Sequence, residues 1–236
     1  MSERSIGRRV EDGITGLLRG TGSIVKGAAD VARDAVVTTA KGVGDVGGSL
    51  TGTVGQVVEG ALDAVNEVGT GLVRTVKGVV VGVVQGVGEV ATVTGGVVSD
   101  TVRAAIKGTG AVGTDASRTA AAIAEGVISA AKDTGVGLAE GAVALGRSAI
   151  SGVKDIGGDV VATASGTVSG AITGAAEVGG DVLAAVRDTA RGLVQGAGEV
   201  GADIVDVTTG AINGAVEGAK AIGIGVEDAA AAAATG

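Results

Sequence analysis

Apolar and polar positions alternate along this chain with a period of eleven residues. When the sequence is written in rows of eleven from Met1, five columns (the second, third, sixth, seventh and tenth) are apolar. Of the 18 basic and 26 acidic residues, only Glu3 and Glu227 lie in those columns. Eleven residues in three turns give about 3.67 residues per turn, which is close to the α-helical value and slightly on the side of a right-handed supercoil. The pattern therefore predicts an all-α protein.

A second repeat, of 22 residues, is visible in the motifs DIGGD (155–159), EVGGD (177–181) and EVGAD (199–203). The eleven-residue frame runs through these motifs without an insertion, and the chain contains no proline. Because a chain of hairpins is expected to break the frame at its turns, the sequence favours a single very long, nearly straight helix of about 350 Å. We expect a basic N-terminal segment (1–9), a continuous helix (10–230) and an Ala-rich C-terminal end (231–236).

The 47 glycines oppose such a helix, because each costs about 1 kcal/mol relative to alanine in a helix interior. Many of them recur four residues apart, as in GVVVGVVQG (78–86) and GAINGAVEG (210–218). Glycines at this spacing form a stripe that lets a second backbone approach closely, whereas glycines of a flexible linker need no such phase. We expect close helix packing at Gly78, Gly82, Gly86, Gly170, Gly174, Gly192, Gly196, Gly214 and Gly218.

The two flanks of the apolar face differ in charge and in size. Column one contains eleven acidic residues and no basic residue, whereas every base except Arg9 lies in columns four, eight or eleven. A parallel, head-to-tail arrangement of helices places acid beside base and small beside bulky, and such contacts close into rings. The sequence therefore predicts a parallel homo-oligomer of more than three chains, as a coiled coil or an α-helical barrel.

In such a ring the tenth column faces inward. The predicted core-facing or lumen-facing residues are Val43, Val54, Val65, Val76, Val87, Val98, Ala120, Ala131, Ala142 and Val153. All of them are apolar and small or medium-sized. With few strands they would fill the axis, and with more strands they would line a channel that takes up lipid or hydrocarbon, because apolar cavities tend to stay dry or to hold apolar guests.

The residues that usually carry catalysis are scarce. The chain has no histidine, cysteine or tyrosine, so general acid–base chemistry would have to use Asp or Glu alone. Asp155 and Asp159 lie one helical turn apart, but acids recur along the whole repeat and indicate a solvated helix edge. Three matches to G-x-G-x-x-G, at 42–47, 108–113 and 196–201, begin at multiples of the repeat and are by-products of it. We expect no enzymatic activity, no cofactor and no metal site.

Charge and hydropathy restrict the partners. A net charge of −8 and the absence of aromatic residues argue against binding to nucleic acid. The basic residues of the first segment are not followed by an apolar run, so the sequence does not predict a signal peptide. The longest uncharged stretch, 160–176, is rich in Ser, Thr and Gly and is a marginal candidate for a membrane span. Localisation stays undetermined, with membrane association as one option.

In its period and its composition, the chain resembles the long hydrophobic, Gly/Ala/Val-rich hendecad coiled-coil proteins. The resemblance covers about residues 10–230 and carries no functional residue with it. It implies a structural protein that assembles into a long parallel rod or tube with an apolar core or lumen. The alternative is an amphipathic helix that coats a membrane or lipid droplet, although such helices favour basic polar faces and aromatic residues that this chain lacks.

Overall fold

The computed structural model describes residues 4–18, 24–42, 46–68, 71–110 and 115–236. The regular secondary structure within these ranges is entirely α-helical. The helices are α1 (Arg4–Leu18), α2 (Ile24–Gly42), α3 (Val46–Val68), α4 (Leu72–Val90), α5 (Gly95–Gly110), α6 (Ala116–Thr134), α7 (Leu138–Asp155), α8 (Val160–Glu177), α9 (Val182–Val200), α10 (Ile204–Ile222) and α11 (Val226–Thr235).

Glycines in the left-handed conformation end the helices at intervals of one 22-residue repeat. From α6 onward these glycines have φ between 63° and 75°, a region that glycine adopts without steric cost and that commonly ends a helix. They are Gly135, Gly157, Gly179, Gly201 and Gly223. The third residue of each repeated motif therefore turns the chain instead of continuing the helix.

Aspartates begin the next helices. Asp115, Asp159, Asp181 and Asp203 immediately precede α6, α8, α9 and α10. Each carboxylate accepts a hydrogen bond from a backbone N–H of the first turn, as Asp181 does from Ala184 at 3.0 Å. This is the usual N-cap arrangement, worth about 1 kcal/mol per cap. The Gly-Gly-Asp and Gly-Ala-Asp motifs are thus stop and start signals of consecutive helices.

The prediction of one very long helix is wrong. The structure is an antiparallel helical repeat of short helices, so the continuous helix over 10–230, the parallel coiled coil and the α-helical barrel are all overturned. The physical reason is that, from α6 onward, one helix and one turn together occupy 22 residues, which is two periods of eleven. Each of these turns therefore returns the chain to the same phase, and an unbroken frame does not exclude hairpins.

The helices form two layers. From α1 to α10, each helix packs most extensively on a helix two places away, so α2, α4, α6, α8 and α10 form one layer and the odd-numbered helices form the other. Contacts within a layer advance together along both helices, as from Gly78 against Val25 to Gly82 against Ala29, so these helices are parallel. Consecutive helices run in opposite directions, and from α6 onward each is joined to the next by a short turn.

The core lies between the layers and is built from Val, Ala, Ile and Leu. Its largest fully buried side chains include Ile14, Ile123, Ile128, Leu145, Ile150, Ile172 and Leu193. A helix of this fold contacts two neighbours in its own layer and further helices in the other layer, which accounts for the width of the apolar face in the sequence. The neighbouring helices that the sequence analysis expects from other chains therefore come from the same chain.

Candidate functional site

The glycine stripes lie where helices of one layer meet. A Cβ atom on Gly82 would come within 2.1 Å of the carbonyl oxygen of Ala29, and one on Gly170 within 2.1 Å of that of Ala121. Backbone and side-chain atoms of the same layer also surround the other predicted packing glycines, namely Gly78, Gly86, Gly174, Gly192, Gly196, Gly214 and Gly218. All nine glycines therefore make close contacts between helices within one chain.

The structural register of these contacts is the same in two pairs of helices. Gly82 of α4 faces Ala29 of α2, and Gly170 of α8 faces Ala121 of α6. In each pair the eleventh residue of one helix faces the sixth residue of the other. The two separations along the sequence differ by four residues because the intervening helix is longer in the first pair, with 23 residues in α3 and 18 in α7.

The predicted inward-facing residues lie in the core of the single chain. Those that are described, Val54, Val76, Val87, Val98, Ala120, Ala131, Ala142 and Val153, are each at most 3% exposed. Val43 and the side chain of Val65 lie outside the described part of the chain. The residues assigned to an intermolecular lumen therefore face other helices of the same molecule.

Two of these residues, Ala120 and Val153, line a cavity of about 310 Å³ between α5, α6, α7 and α8. The lining also includes threonines, and the hydroxyls of Thr109 and Thr163 donate hydrogen bonds to carbonyls of their own helices. The cavity walls are mainly apolar, so this is the part of the described fold that best matches the predicted affinity for hydrocarbon.

A polar cluster connects three helices of the even layer. Lys77 of α4 forms an ion pair with Glu125 of α6, and its Nζ donates hydrogen bonds to both carboxylate oxygens of Glu177 of α8 at 3.2 and 3.1 Å. The side chains of Lys77 and Glu125 are only 19% and 21% exposed. The cluster thus ties α4, α6 and α8 together at a partly desolvated position.

The environment shifts the pKa values of all three groups. Burial lowers the pKa of Lys77, but its hydrogen bonds with the two carboxylates outweigh this, so the pKa lies above its usual value of 10.5. Burial raises the pKa of Glu125, and the hydrogen bond with Lys77 offsets this only in part. Burial also raises the pKa of Glu177, but hydrogen bonds with Glu125 and Lys77 lower it further, so this pKa lies below its usual value. The cluster holds positive and negative charge together and resembles a structural link more than a catalytic pair.

Other acids of column one pair with bases of a neighbouring helix. Arg147 of α7 holds Glu199 of α9 through two contacts, Nε to Oε2 at 2.8 Å and Nη2 to Oε1 at 2.6 Å. Arg33 of α2 approaches Glu89 of α4 at 3.5 Å. Acid flanks therefore meet base flanks between parallel helices, but both flanks belong to one chain.

An exposed apolar face lies on α10. Ile204 and Val205 are 50% and 72% exposed. Two repeats earlier, Val161 holds the position of Val205, and there the Val161 carbonyl oxygen lies 2.5 Å from where a Cβ on Gly210 would be. The face that α8 uses to pack on α10 is therefore present on α10, and the described chain places no helix against it.

Sequence reasoning missed both the N-cap aspartates and this face. The sequence pattern places Asp159 on a solvated helix edge, whereas in the structure it caps the start of α8. The signal that could have revealed it is a glycine followed two residues later by aspartate, repeated every 22 residues. That combination joins the preferred residues of a helix end and a helix start.

Two further features of the described ranges concern membrane spans and metal-binding clusters. None of the helices described is both long enough and apolar enough to cross a membrane. Within the same residues, Asp and Glu form no group of three or more that could hold a metal ion.

These features define a class: an all-α helical-repeat protein whose parallel helices pack through glycine. No family model matches the chain, and no curated protein matches it. Among solved structures, a de novo designed helical repeat protein is similar over 85% of this chain and 97% of its own, with 14% identity and a TM-score of 0.28. At that TM-score the likeness adds nothing to the assignment, which rests on the helix packing.

Proposed function

We propose that this protein is a structural assembly protein without enzymatic activity, a helical-repeat rod that pairs with a second copy of itself. The pairing surface is the exposed face of α10, formed by Ile204, Val205, Thr209 and Asn213, which we name the α10 face. The observation that carries the proposal is the 72% exposure of Val205 at a position that forms a helix contact two repeats earlier.

The α10 face has the residue types and positions of a surface that packs against another helix elsewhere in the fold. Equivalent residues of α8 lie against the glycines of α10, where a Cβ on Gly214 would come within 2.1 Å of the Ser165 carbonyl oxygen. Leaving large apolar side chains such as Ile204 in water forgoes the free energy that burial supplies, about 25 cal/mol per Å². A second helix on this face would bury them.

Charge and symmetry favour a two-fold contact between the α10 faces of two copies over a head-to-tail contact between α10 of one copy and α2 of the next. The outward residues of α2, the helix that a head-to-tail contact would use, are polar, with Lys26, Asp34 and Lys41 exposed. A two-fold contact instead pairs α10 with α10 in opposite directions. About a centre at Asn213, Asp206 of one copy then lies opposite Lys220 of the other, because each is the same distance along the helix from Asn213. Such an isologous contact closes as a dimer.

The alternative of a lipid-coating helix needs an apolar face directed outward. In the described part of the chain the apolar columns are instead largely buried between helices. Assembly is therefore the function proposed.

The test is the concentration dependence of mass in sedimentation velocity. We expect the unmodified protein to dimerise, and Val205→Glu to weaken the dimer by more than about tenfold, since a buried unpaired charge costs several kcal/mol. The matched control is Val73→Glu, because Val73 occupies the same repeat position in α4, is 41% exposed and lies away from the α10 face. A protein that stays monomeric at all concentrations, or a Val205→Glu variant that dimerises like the unmodified chain, would show that the α10 face is not an interface.

A further inference from the structure

A groove of about 600 Å³ crosses α5, α7 and α9. Three arginines, one from each helix and two repeats apart in the sequence, line it: Arg103, Arg147 and Arg191. On α5 the lining continues through Ser99 to Gly96 in the first turn of the helix. The groove thus brings three guanidinium groups near the amino end of a helix.

Ser148 keeps this groove open. It occupies in α7 the repeat position that Gly192 occupies in α9. A Cβ on Gly192 would lie 2.2 Å from the carbonyl oxygen of Val143, so α9 approaches α7 closely only because that side chain is absent. Ser148 has a side chain at the corresponding place, and α7 packs less extensively on α5 than on α9. The serine therefore creates the space between α5 and α7.

The hydroxyl of Ser148 is also unsatisfied. The residue is 1% exposed, and its Oγ has no hydrogen-bond partner among the described residues. A buried hydroxyl without a partner costs about 1–3 kcal/mol. Because Ser148 lines the groove, a bound group that accepts its hydrogen bond would remove this cost.

Most charges of the groove already have partners. Arg147 holds Glu199, and Arg191 lies 3.5 Å from Asp188. The carboxylate of Glu140 accepts a hydrogen bond from the first backbone N–H of α5 at 3.0 Å. The two acids that line the groove are thus engaged with a guanidinium and with a helix end.

Arg103 differs from the other two arginines. Its repeat-equivalent acid is Asp155, which is shorter by one methylene than the Glu199 that Arg147 holds. Within the residues that the structure describes, Arg103 has no ion pair, and its side chain is exposed. One guanidinium in the groove is therefore available to a ligand.

We propose that this groove binds a phosphate-type oxyanion between Arg103 of α5 and Arg147 and Ser148 of α7. The guanidinium of Arg103 donates parallel hydrogen bonds that match the oxygens of a phosphoryl group, and Arg147, which already holds Glu199, contributes its positive charge and its remaining N–H groups. The hydroxyls of Ser99 and Ser148 donate to the remaining oxygens, and the amino end of α5 adds favourable partial charge. Free inorganic phosphate and the phosphoryl group of a small phosphate ester share this chemistry.

The experiment is calorimetric titration of the full chain with inorganic phosphate, at constant ionic strength in chloride. We expect one saturable site per chain, and about tenfold weaker binding by Arg103→Gln, since a hydrogen bond to a charged group is worth about 1.5–3 kcal/mol. Arg74→Gln, which removes an exposed arginine of α4 outside the groove, should bind like the unmodified protein. Equal effects of the two substitutions, or no saturable binding, would overturn the proposal.

Titrations with other anions identify the ligand class, and a variant of Ser148 tests the role of its side chain. Binding of O-phosphoserine at the same site would extend it to phosphate esters, whereas acetate that binds as tightly as phosphate would overturn the assignment to phosphate. Ser148→Gly restores the residue found in α9 and should fold, while letting α5 and α7 close the groove. We expect this variant to lose phosphate binding, and retained affinity would contradict the part assigned to Ser148.

Discussion

At the scale of single residues, glycine in this protein is a contact residue. Helices of one layer approach so closely that the place of a side chain is taken by a backbone carbonyl of the neighbour, as at Gly170 against Ala121. Removing a side chain costs helix propensity, about 1 kcal/mol per glycine. The close approach offsets this cost through dispersion contacts along the whole helix, each small and together large.

Alanine substitution should therefore act in opposite directions at two glycines. Gly170→Ala places a methyl group on the Ala121 carbonyl oxygen and forces α8 away from α6, so we expect a loss of about 1–3 kcal/mol in the free energy of unfolding. Gly198→Ala, in α9, meets no atom within 4 Å and should gain up to about 1 kcal/mol. Urea unfolding followed by circular dichroism measures both. If Gly198→Ala also lowered the free energy of unfolding, glycine would not act at Gly170 through close packing alone, and this explanation would be wrong.

At these residues the sequence indicates a close neighbour but not which helix supplies it. A stripe such as Gly78, Gly82 and Gly86 indicates a close neighbour because only helical spacing places the three on one side. It does not indicate whether the neighbour comes from the same chain, since an adjacent helix has the same shape in either case. Ser148 shows the same limit, because its importance depends on the glycine that stands at Gly192 two repeats later.

At the scale of elements, three even-layer helices are connected by the cluster of Lys77, Glu125 and Glu177. The two acids have pKa values displaced in opposite directions. A raised pKa of Glu125 means that its contribution to stability is present below the unfolded value of 4.5 and is lost as the pH rises through its folded pKa. A lowered pKa of Glu177 means that its contribution is present above 4.5 and is lost as the pH falls through its folded pKa.

Two glutamine substitutions should therefore respond oppositely to pH. Between about pH 4 and pH 7, Glu125→Gln should gain stability relative to the unmodified protein, because it removes a carboxylate whose ionisation burial disfavours. Over the same range Glu177→Gln should lose relative stability. Urea unfolding at several pH values gives both differences. Parallel pH dependence of the two variants would show that the carboxylates are not in the distinct environments described.

The residue types at the turns between helices carry a signal, but the length of the repeat hides it. Gly179 and Asp181 have the residue types of a helix end and a helix start, and their equivalents recur through the second half of the chain. Yet glycines and acids occur at many helical positions here, so composition does not separate a turn from a helix. The unbroken eleven-residue frame then favoured a continuous helix, although a hairpin of two periods preserves that frame equally well.

At the scale of the whole molecule, every helix is close to equivalent. Gly174 of α8 faces Glu125 of α6, and Gly196 of α9 faces Arg147 of α7, at the same separation along the sequence. Even and odd layers therefore use one set of contacts. The structural unit is one helix with its turn, whereas many helical repeats use a helix pair, and each unit contacts only near neighbours.

Deletions of different length should separate this architecture from a continuous helix. Removing residues 136–157 takes out one unit and joins Gly135 to Gly158 and Asp159, which recreates a Gly-Gly-Asp turn. We expect a folded protein with a single cooperative unfolding transition. Removing 139–149 keeps the eleven-residue frame but cuts α7 to less than half its length, and should destabilise the protein severely. A continuous helix would tolerate both deletions alike in thermal unfolding.

The glycine contacts within a layer have a mechanical consequence. Surfaces made of glycine and backbone lack the interlocking side chains that fix one helix against another, so neighbouring helices such as α6 and α8 meet on nearly smooth surfaces. A contact of this kind resembles a slip plane in a layered crystal, along which one layer moves by a lattice step while the layers beyond it keep their order. The step here is about one helical turn, or about 5.4 Å. Load applied along the helix axes would therefore be relieved by sliding in steps of that size, with the helices themselves left intact.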